Sequence, residues 1–195
     1  MNIDNMVVET LDQVEDQFLT YVEYLSITST DRNANWHSEI LRRYKDFEMW
    51  TIVLRDQKIV AFSGLQKHNF PDQYYRCLSR TYFDQSIRFP TTFPRSGPTP
   101  NIIMLAKQIE YLSTIDWKFA MISMEFARRR KVFANHIINK FNKTLKLNFE
   151  VMPDMHQTCP SMGVNCWQNL AILRNTSEEF LLPKMSIEQW REKFG

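Results

Sequence analysis

The stretch Arg88–Asn101, RFPTTFPRSGPTPN, holds four of the chain's eight prolines and the residue types that bind an anion. Each proline lacks an N–H and so deletes a donor, but the amides of Ser96, Gly97, Thr99, Asn101 and Ile102 remain. Gathered at the start of a helix, such amides hold an anion, and the Arg95 guanidinium adds a charge-assisted contact. Thr99 is a good N-cap and Pro100 suits the first helical position, although a capping Thr99 side chain would compete for the amides of Asn101 or Ile102. A second basic group, Arg128-Arg129-Arg130-Lys131, could touch the phosphate of a cofactor or a nucleic acid, or simply stand as a solvated helix start. His156, Cys159 and Cys166 match no standard zinc spacing and lack a fourth ligand, so no metal is expected. No Ser-His-Asp set, Gly-x-Ser-x-Gly elbow, Walker motif or dinucleotide fingerprint is present.

The elements that must position these groups follow from hydrophobic spacing. Met6–Glu9 reads as a short strand. Thr10 and Gln13 form a capping box ahead of Leu11, Val14, Phe18, Val22 and Leu25, which fall on one helical face. Ala34–Tyr44 predicts a second helix through Trp36, Ile40, Leu41 and Tyr44. In Met49–His68 two β-branched and aromatic runs flank Arg55-Asp56-Gln57-Lys58, which predicts a hairpin. A turn at Asn69–Asp72 and a strand over Tyr74–Phe83 complete an antiparallel meander. Beyond the prolines, Ile102, Leu105, Ala106, Ile109 and Leu112 share a helical face. Phe119–Phe126 predicts a covered central strand, Arg128–Lys143 a helix, and LNFEVM and CWQNLAILR two closing strands. Ser186 with Gln189 predicts a last short helix.

The chain has 195 residues, 44% of them hydrophobic and 24% charged, which predicts a single soluble globular domain over residues 1–195. Laid end to end, the elements make an α/β (α+β) fold, a mixed, mostly antiparallel central sheet of about seven strands with helices on both faces. A net charge of +2 is too small to direct the chain to nucleic acid or membrane by long-range field. The N-terminus lacks a basic segment followed by an apolar one, and no apolar run suffices to span a bilayer, so the expected location is the cytoplasm. The three cysteines, odd in number and irregularly spaced, fit a reducing compartment and read as small core residues.

This order resembles the GCN5-related N-acetyltransferase (GNAT) superfamily, the acyl-CoA N-acyltransferases. IVAFSGLQKH looks like the family's third strand, with the small Ala61 and Gly64 near Phe62. CLSRTYFDQSIR looks like its fourth strand and exit, and FAMISMEF followed by ARRRKVFANHIINKFNK resembles its fifth strand and fourth helix. The resemblance implies an acyl-coenzyme A held between the fourth and fifth strands. The family's loop of the type Arg-x-x-Gly-x-Gly or Ala, whose amides grip the pyrophosphate, corresponds to Pro94–Asn101. That places cofactor contacts at Arg95, Ser96, Gly97, Thr99 and Asn101, with Pro98 and Pro100 standing where the motif has glycines.

Acyl transfer to an amine needs a base for the amine, a donor to polarise the thioester carbonyl and a proton for the departing thiolate. By the same resemblance, a backbone N–H around Thr81, Tyr82 and Phe83 polarises the carbonyl. Glu125 near the end of the fifth strand is the first candidate base, and Asp84 the second. The family's tyrosine donor on the fourth helix is missing, since Val132 and Phe133 occupy that region, and Tyr82 or His136 could substitute. The implied function is an acyl-CoA-dependent N-acyltransferase using acetyl-CoA or another acyl-CoA and a small-molecule amine, with a homodimer as a possible assembly. The alternative is a non-catalytic binding or assembly module of the same fold with a degenerate coenzyme A site.

Overall fold

The computed structural model describes residues 6–29, 31–68, 73–84, 99–125, 131–152 and 168–179. Its elements run β1 (Met6–Thr10), α1 (Leu11–Thr28), α2 (Asp31–Arg43), a 3-10 turn (Tyr44–Asp46), β2 (Met49–Arg55), β3 (Lys58–His68), β4 (Tyr74–Phe83), α3 (Pro100–Leu112), β5 (Phe119–Glu125), α4 (Lys131–Leu145), β6 (Glu150–Met152) and β7 (Gln168–Arg174). The strands form a seven-stranded mixed sheet in the order β1-β2-β3-β4-β5-β7-β6. The β1–β2, β2–β3, β5–β7 and β6–β7 pairs are antiparallel, whereas β4 and β5 run parallel. Among the described residues, no helix is long and apolar enough to cross a membrane.

The chain packs as two compact units. One comprises Met1–Lys67 with Leu78–Ile115, the other His68–Cys77 with Asp116–Gly195. In the first, strand alternation sends Trp50, Ile52 and Leu54 of β2 to one face, where they join Phe18, Val22 and Leu25 of α1, Ile40 of α2 and Phe62 of β3 in a core cluster. Val53, Val60 and Ala61 pack instead with Met104 of α3, so helices cover both sides of these strands. Asp56 and Gln57 turn the β2–β3 hairpin with φ of 49° and 61°, and the Gln57 carbonyl accepts from Gln17 Nε2 of α1 at 2.7 Å. The Thr10 amide donates to Gln13 Oε1 at 2.9 Å, the half of the capping box that reaches back to the first turn.

In the second unit β5 is the covered strand, with Phe119, Ala120, Met121 and Ile122 all buried. Asn142 of α4 closes the following turn with two bonds to Phe149, Nδ2 donating to its carbonyl at 2.9 Å and Oδ1 accepting its amide at 2.8 Å.

Several predicted elements differ in extent: α2 runs Asp31–Arg43 rather than Ala34–Tyr44, and β1 reaches Thr10 rather than Glu9. The strand expected from Leu147 begins at Glu150, because Lys146 takes a φ of 54° and the Leu147 amide bonds back to the Asn142 carbonyl, so the chain is still turning there. The helix expected from Arg128 is described from Lys131 and extends to Leu145. The turn at Asn69–Asp72, the loop residues Arg95, Ser96, Gly97 and Pro98, the basic residues Arg128, Arg129 and Arg130, and His156, Cys159, Cys166 and the helix at Ser186–Gln189 lie outside the described residues.

Candidate functional site at the end of β4

The second half of β4 departs from a regular strand. Leu78 and Arg80 have φ of 51° and 54°, left-handed values that cost a side-chain-bearing residue about 1–2 kcal/mol each. The register with β5 pairs Tyr74–Cys77 with Phe119–Ile122, so the left-handed course starts at the next residue.

A buried polar network holds the departure. The Leu78 amide donates to Gln108 Oε1 of α3 at 2.9 Å, and Thr81 Oγ1 donates to the Leu78 carbonyl at 2.7 Å. Ser63 Oγ of β3 meets Thr81 Oγ1 at 3.0 Å and donates to the Ser79 carbonyl at 3.3 Å. Gln108 Nε2 donates to Thr51 Oγ1 at 3.3 Å and to the Ser63 carbonyl at 3.4 Å, and Thr51 Oγ1 donates to that carbonyl at 3.0 Å. Buried polar groups are costly unless paired, so these pairings are what make the hydroxyls and amide tolerable there.

Beyond the bend, alternation resumes. Phe83 turns to the Val53–Val60–Ala61–Met104 side, while Tyr82 turns to the α1–α2 side. The Tyr82 ring stacks on Phe62 with centroids 5.1 Å apart and receives the edges of His37 at 5.5 Å and Tyr21 at 6.1 Å. Tyr21 of α1 donates its hydroxyl proton to Asp84 Oδ2 at 3.1 Å, and the Asp84 amide donates to the Val60 carbonyl at 2.9 Å. Burial first, then the Tyr82 hydroxyl and the Asp84 carboxylate, push the Tyr21 phenol above the ordinary range. Burial also raises the Tyr82 phenol, against an opposing effect of the Tyr21 hydroxyl. Both phenols therefore hold their protons at neutral pH.

Arg80 leaves the bend toward α2, where its Nη2 lies 2.8 Å from Glu39 Oε2 and its guanidinium carbon 6.0 Å from the centroid of the Trp36 ring. His37, on the same helix, is only 2% exposed; its Nδ1 lies 3.3 Å from Ser29 Oγ, and its Nε2 has no hydrogen-bond partner among the described residues. Burial lowers its proton affinity, against an opposing Leu25 backbone bond, so the ring is neutral at neutral pH.

At the start of α3, Pro100 occupies the first turn as expected. The Thr99 side chain makes no capping bond. Thr99 instead contributes its backbone carbonyl, which accepts the Ile103 amide at 3.0 Å, so the expected competition for the Asn101 and Ile102 amides does not arise. Asn101 Oδ1 is buried and lacks a hydrogen-bond partner among the described residues.

Of the sequence candidates, Thr81, Tyr82, Phe83 and Asp84 thus lie on or just beyond one strand end, and Thr99 and Asn101 at the start of the helix whose Gln108 binds that strand. Glu125 is the last residue of β5, in register with Gln168 of β7, in the other unit. Its side chain, and Arg95, Ser96 and Gly97, are not among the groups described. Tyr21, His37 and Gln108 were not singled out from sequence. The signal available for Gln108 was a carboxamide on an otherwise apolar helical face between Leu105 and Leu112.

No family model matches the sequence, and no curated protein sequence matches it. Solved structures do. An acetyltransferase from Streptococcus agalactiae aligns at TM-score 0.52 and 9% identity, covering 88% of this chain and 99% of its own. The yncA protein of Salmonella typhimurium, solved with its cofactor acetyl-CoA, aligns at TM-score 0.50 and 12% identity over 93% of this chain and 99% of its own. A Desulfovibrio desulfuricans chain assigned to the GNAT family of acetyltransferases aligns at TM-score 0.50 and 10% identity, covering 87% and 97%. The chain has the fold of the GNAT acetyltransferases.

Proposed function

We propose that the chain is an acyl-CoA-dependent N-acyltransferase, a divergent GNAT superfamily member acting as one domain, that moves an acetyl or other acyl group to the amine of a small molecule. One observation carries this reading. Tyr82 and Asp84 stand two residues apart beyond the bend of β4, with the Tyr21 hydroxyl bonded to the carboxylate. That brings a proton donor and a carboxylate base to the same strand end. The acetyl-CoA held by yncA supports acyl-CoA as the cosubstrate.

In this reading the pyrophosphate lies at the start of α3, against the amides of Thr99 and Asn101 and the preceding Arg95, Ser96 and Gly97. The positive end of α3 favours an anion there. The backbone at Thr81–Phe83 supplies the donor for the thioester carbonyl. Asp84, through a water, takes the proton of the attacking amine. The amine nitrogen bonds to the carbonyl carbon, the carbon–sulfur bond breaks, and Tyr82 gives its proton to the departing thiolate.

The test is thermal unfolding with increasing acetyl-CoA, coupled to thiol release with a panel of small-molecule amines. Binding to the native state alone stabilises it by about 2.7 kcal/mol at a concentration 100 times the Kd. A rising midpoint with thiol release is expected. An unchanged midpoint at millimolar acetyl-CoA overturns the proposal in favour of a non-catalytic module.

A further inference from the structure

We propose that Gln108 is the positioning residue of this site: from α3 it holds β4 in its left-handed course at Leu78–Arg80, and acyl-CoA affinity depends on that hold. The inference rests on the acyltransferase reading above.

Gln108 is fully buried on the face of α3 that also carries Leu105 and Leu112, both 0% exposed. A leucine or methionine there would continue the apolar stripe and add favourable burial, so packing alone gives no reason for a carboxamide. What Gln108 supplies is an acceptor for the amide of Leu78, the first residue of the bend. Of the five buried polar residues among those described, four (Thr51, Ser63, Ser79 and Gln108) belong to the network around this bend, and the fifth is His37. The polar content of this core is thus concentrated on a backbone distortion rather than spread through it.

The distortion needs such a hold. Neither Leu78 nor Arg80 is a glycine, and both sit at left-handed φ within a strand. Without the Gln108 acceptor, the Leu78 amide is left unsatisfied against α3. Its cheapest relief is relaxation of Leu78 to an extended φ. That relaxation re-aims the backbone of Thr81–Phe83 and shifts it against the start of α3, the two places where acyl-CoA is to be held. Gln108 touches neither reacting group and acts through Leu78.

The experiment compares Gln108→Met, close in length but without the acceptor, with Gln108→Glu, which keeps an oxygen for the Leu78 amide, and with Leu25→Ala, a cavity variant in α1. Acetyl-CoA affinity is read by calorimetry and the Leu78 amide by hydrogen exchange. The expected result is about tenfold weaker binding and faster Leu78 exchange in Gln108→Met. Gln108→Glu stays closer to the wild type, and Leu25→Ala loses thermal stability with unchanged affinity. If Gln108→Met does not fold, Gln108→Asn, too short to reach Leu78, takes its place under the same criteria. Wild-type affinity in the Gln108 variant, or a loss no greater than that of Leu25→Ala, overturns the proposal. If the wild type itself fails to bind acetyl-CoA, the acyltransferase reading and the affinity claim fall together. Leu78 exchange then separately decides whether Gln108 holds the bend, and unchanged exchange in the variant refutes that too.

Discussion

The Tyr21 hydroxyl of α1 donates to Asp84 Oδ2 at 3.1 Å, joining the middle of the first helix to the residue just past β4. The bond fixes the carboxylate that the proposed mechanism uses as a base. Replacing Asp84 by Asn keeps an acceptor for Tyr21 and removes only the basicity. The expected consequence is a fall in kcat/KM of about 100-fold, the low end of what general-base loss costs, with acetyl-CoA affinity unchanged. Tyr21→Phe is expected to cost less, about 1 kcal/mol of stability and a few-fold in kcat/KM, because the base survives but is less well oriented. Steady-state thiol release alongside calorimetric binding checks both, and an Asp84→Asn enzyme with wild-type turnover removes Asp84 from the mechanism.

The elements were legible where local chemistry and periodicity agree. Alternating β-branched and aromatic residues on either side of Asp56-Gln57 gave the hairpin, and Thr99-Pro100 gave the start of α3. The bend in β4 was not legible, because left-handed φ is ordinarily signalled by glycine and here falls on Leu78 and Arg80. Its anchors were equally hidden. Thr51, Ser63 and Thr81 look like ordinary strand residues until Gln108, thirty residues from Leu78, arrives from α3. Tyr21 and His37 stood outside the helical faces that the spacing picked out, and spacing tells which side of a helix is buried and not which strand end it meets.

His37 should make stability fall on acidification. Burial keeps its folded pKa below the ordinary value of about 6.5. As pH drops below about 6.5 the unfolded chain takes up a proton that the folded chain resists, so the unfolded state gains. The loss accumulates until pH reaches the lowered folded value and then levels off. Urea unfolding of wild type and His37→Phe from pH 8 to pH 5 isolates this contribution as a difference. The difference should shift in favour of the variant as pH falls, and a pH-independent difference would show that His37 titrates alike in both states.

Cys77 should be inert in the folded protein. It is 1% exposed, and burial pushes its thiol up to about 12, so almost none is thiolate at neutral pH. Iodoacetamide at pH 7.5 is expected to leave it unmodified in native protein and to label it once urea is present, as read by peptide mass spectrometry. Labelling of Cys77 at the rate of a free thiol under native conditions would mean that the β4–β5 pairing around Cys77–Ile122 opens readily.

Gly64 should resist even the smallest side chain. In the β2–β3 register it faces Trp50, and a Cβ built on it would lie 2.4 Å from Phe47 Cδ1 and 2.7 Å from Cε1. The Phe47 ring cannot yield freely, because its centroid lies 4.5 Å from that of Trp50, which in turn packs against Phe18 and Phe62. Gly64→Ala is therefore expected to destabilise by about 1–3 kcal/mol through overpacking, without changing the fold. Phe47→Ala alone removes packing and also destabilises, by opening a cavity. Combined, the two should cost less than their sum, since the new methyl group enters the space the ring has left. Urea unfolding of the single and double variants measures the coupling, and strict additivity would mean that Phe47 already rotates away from Gly64 in solution.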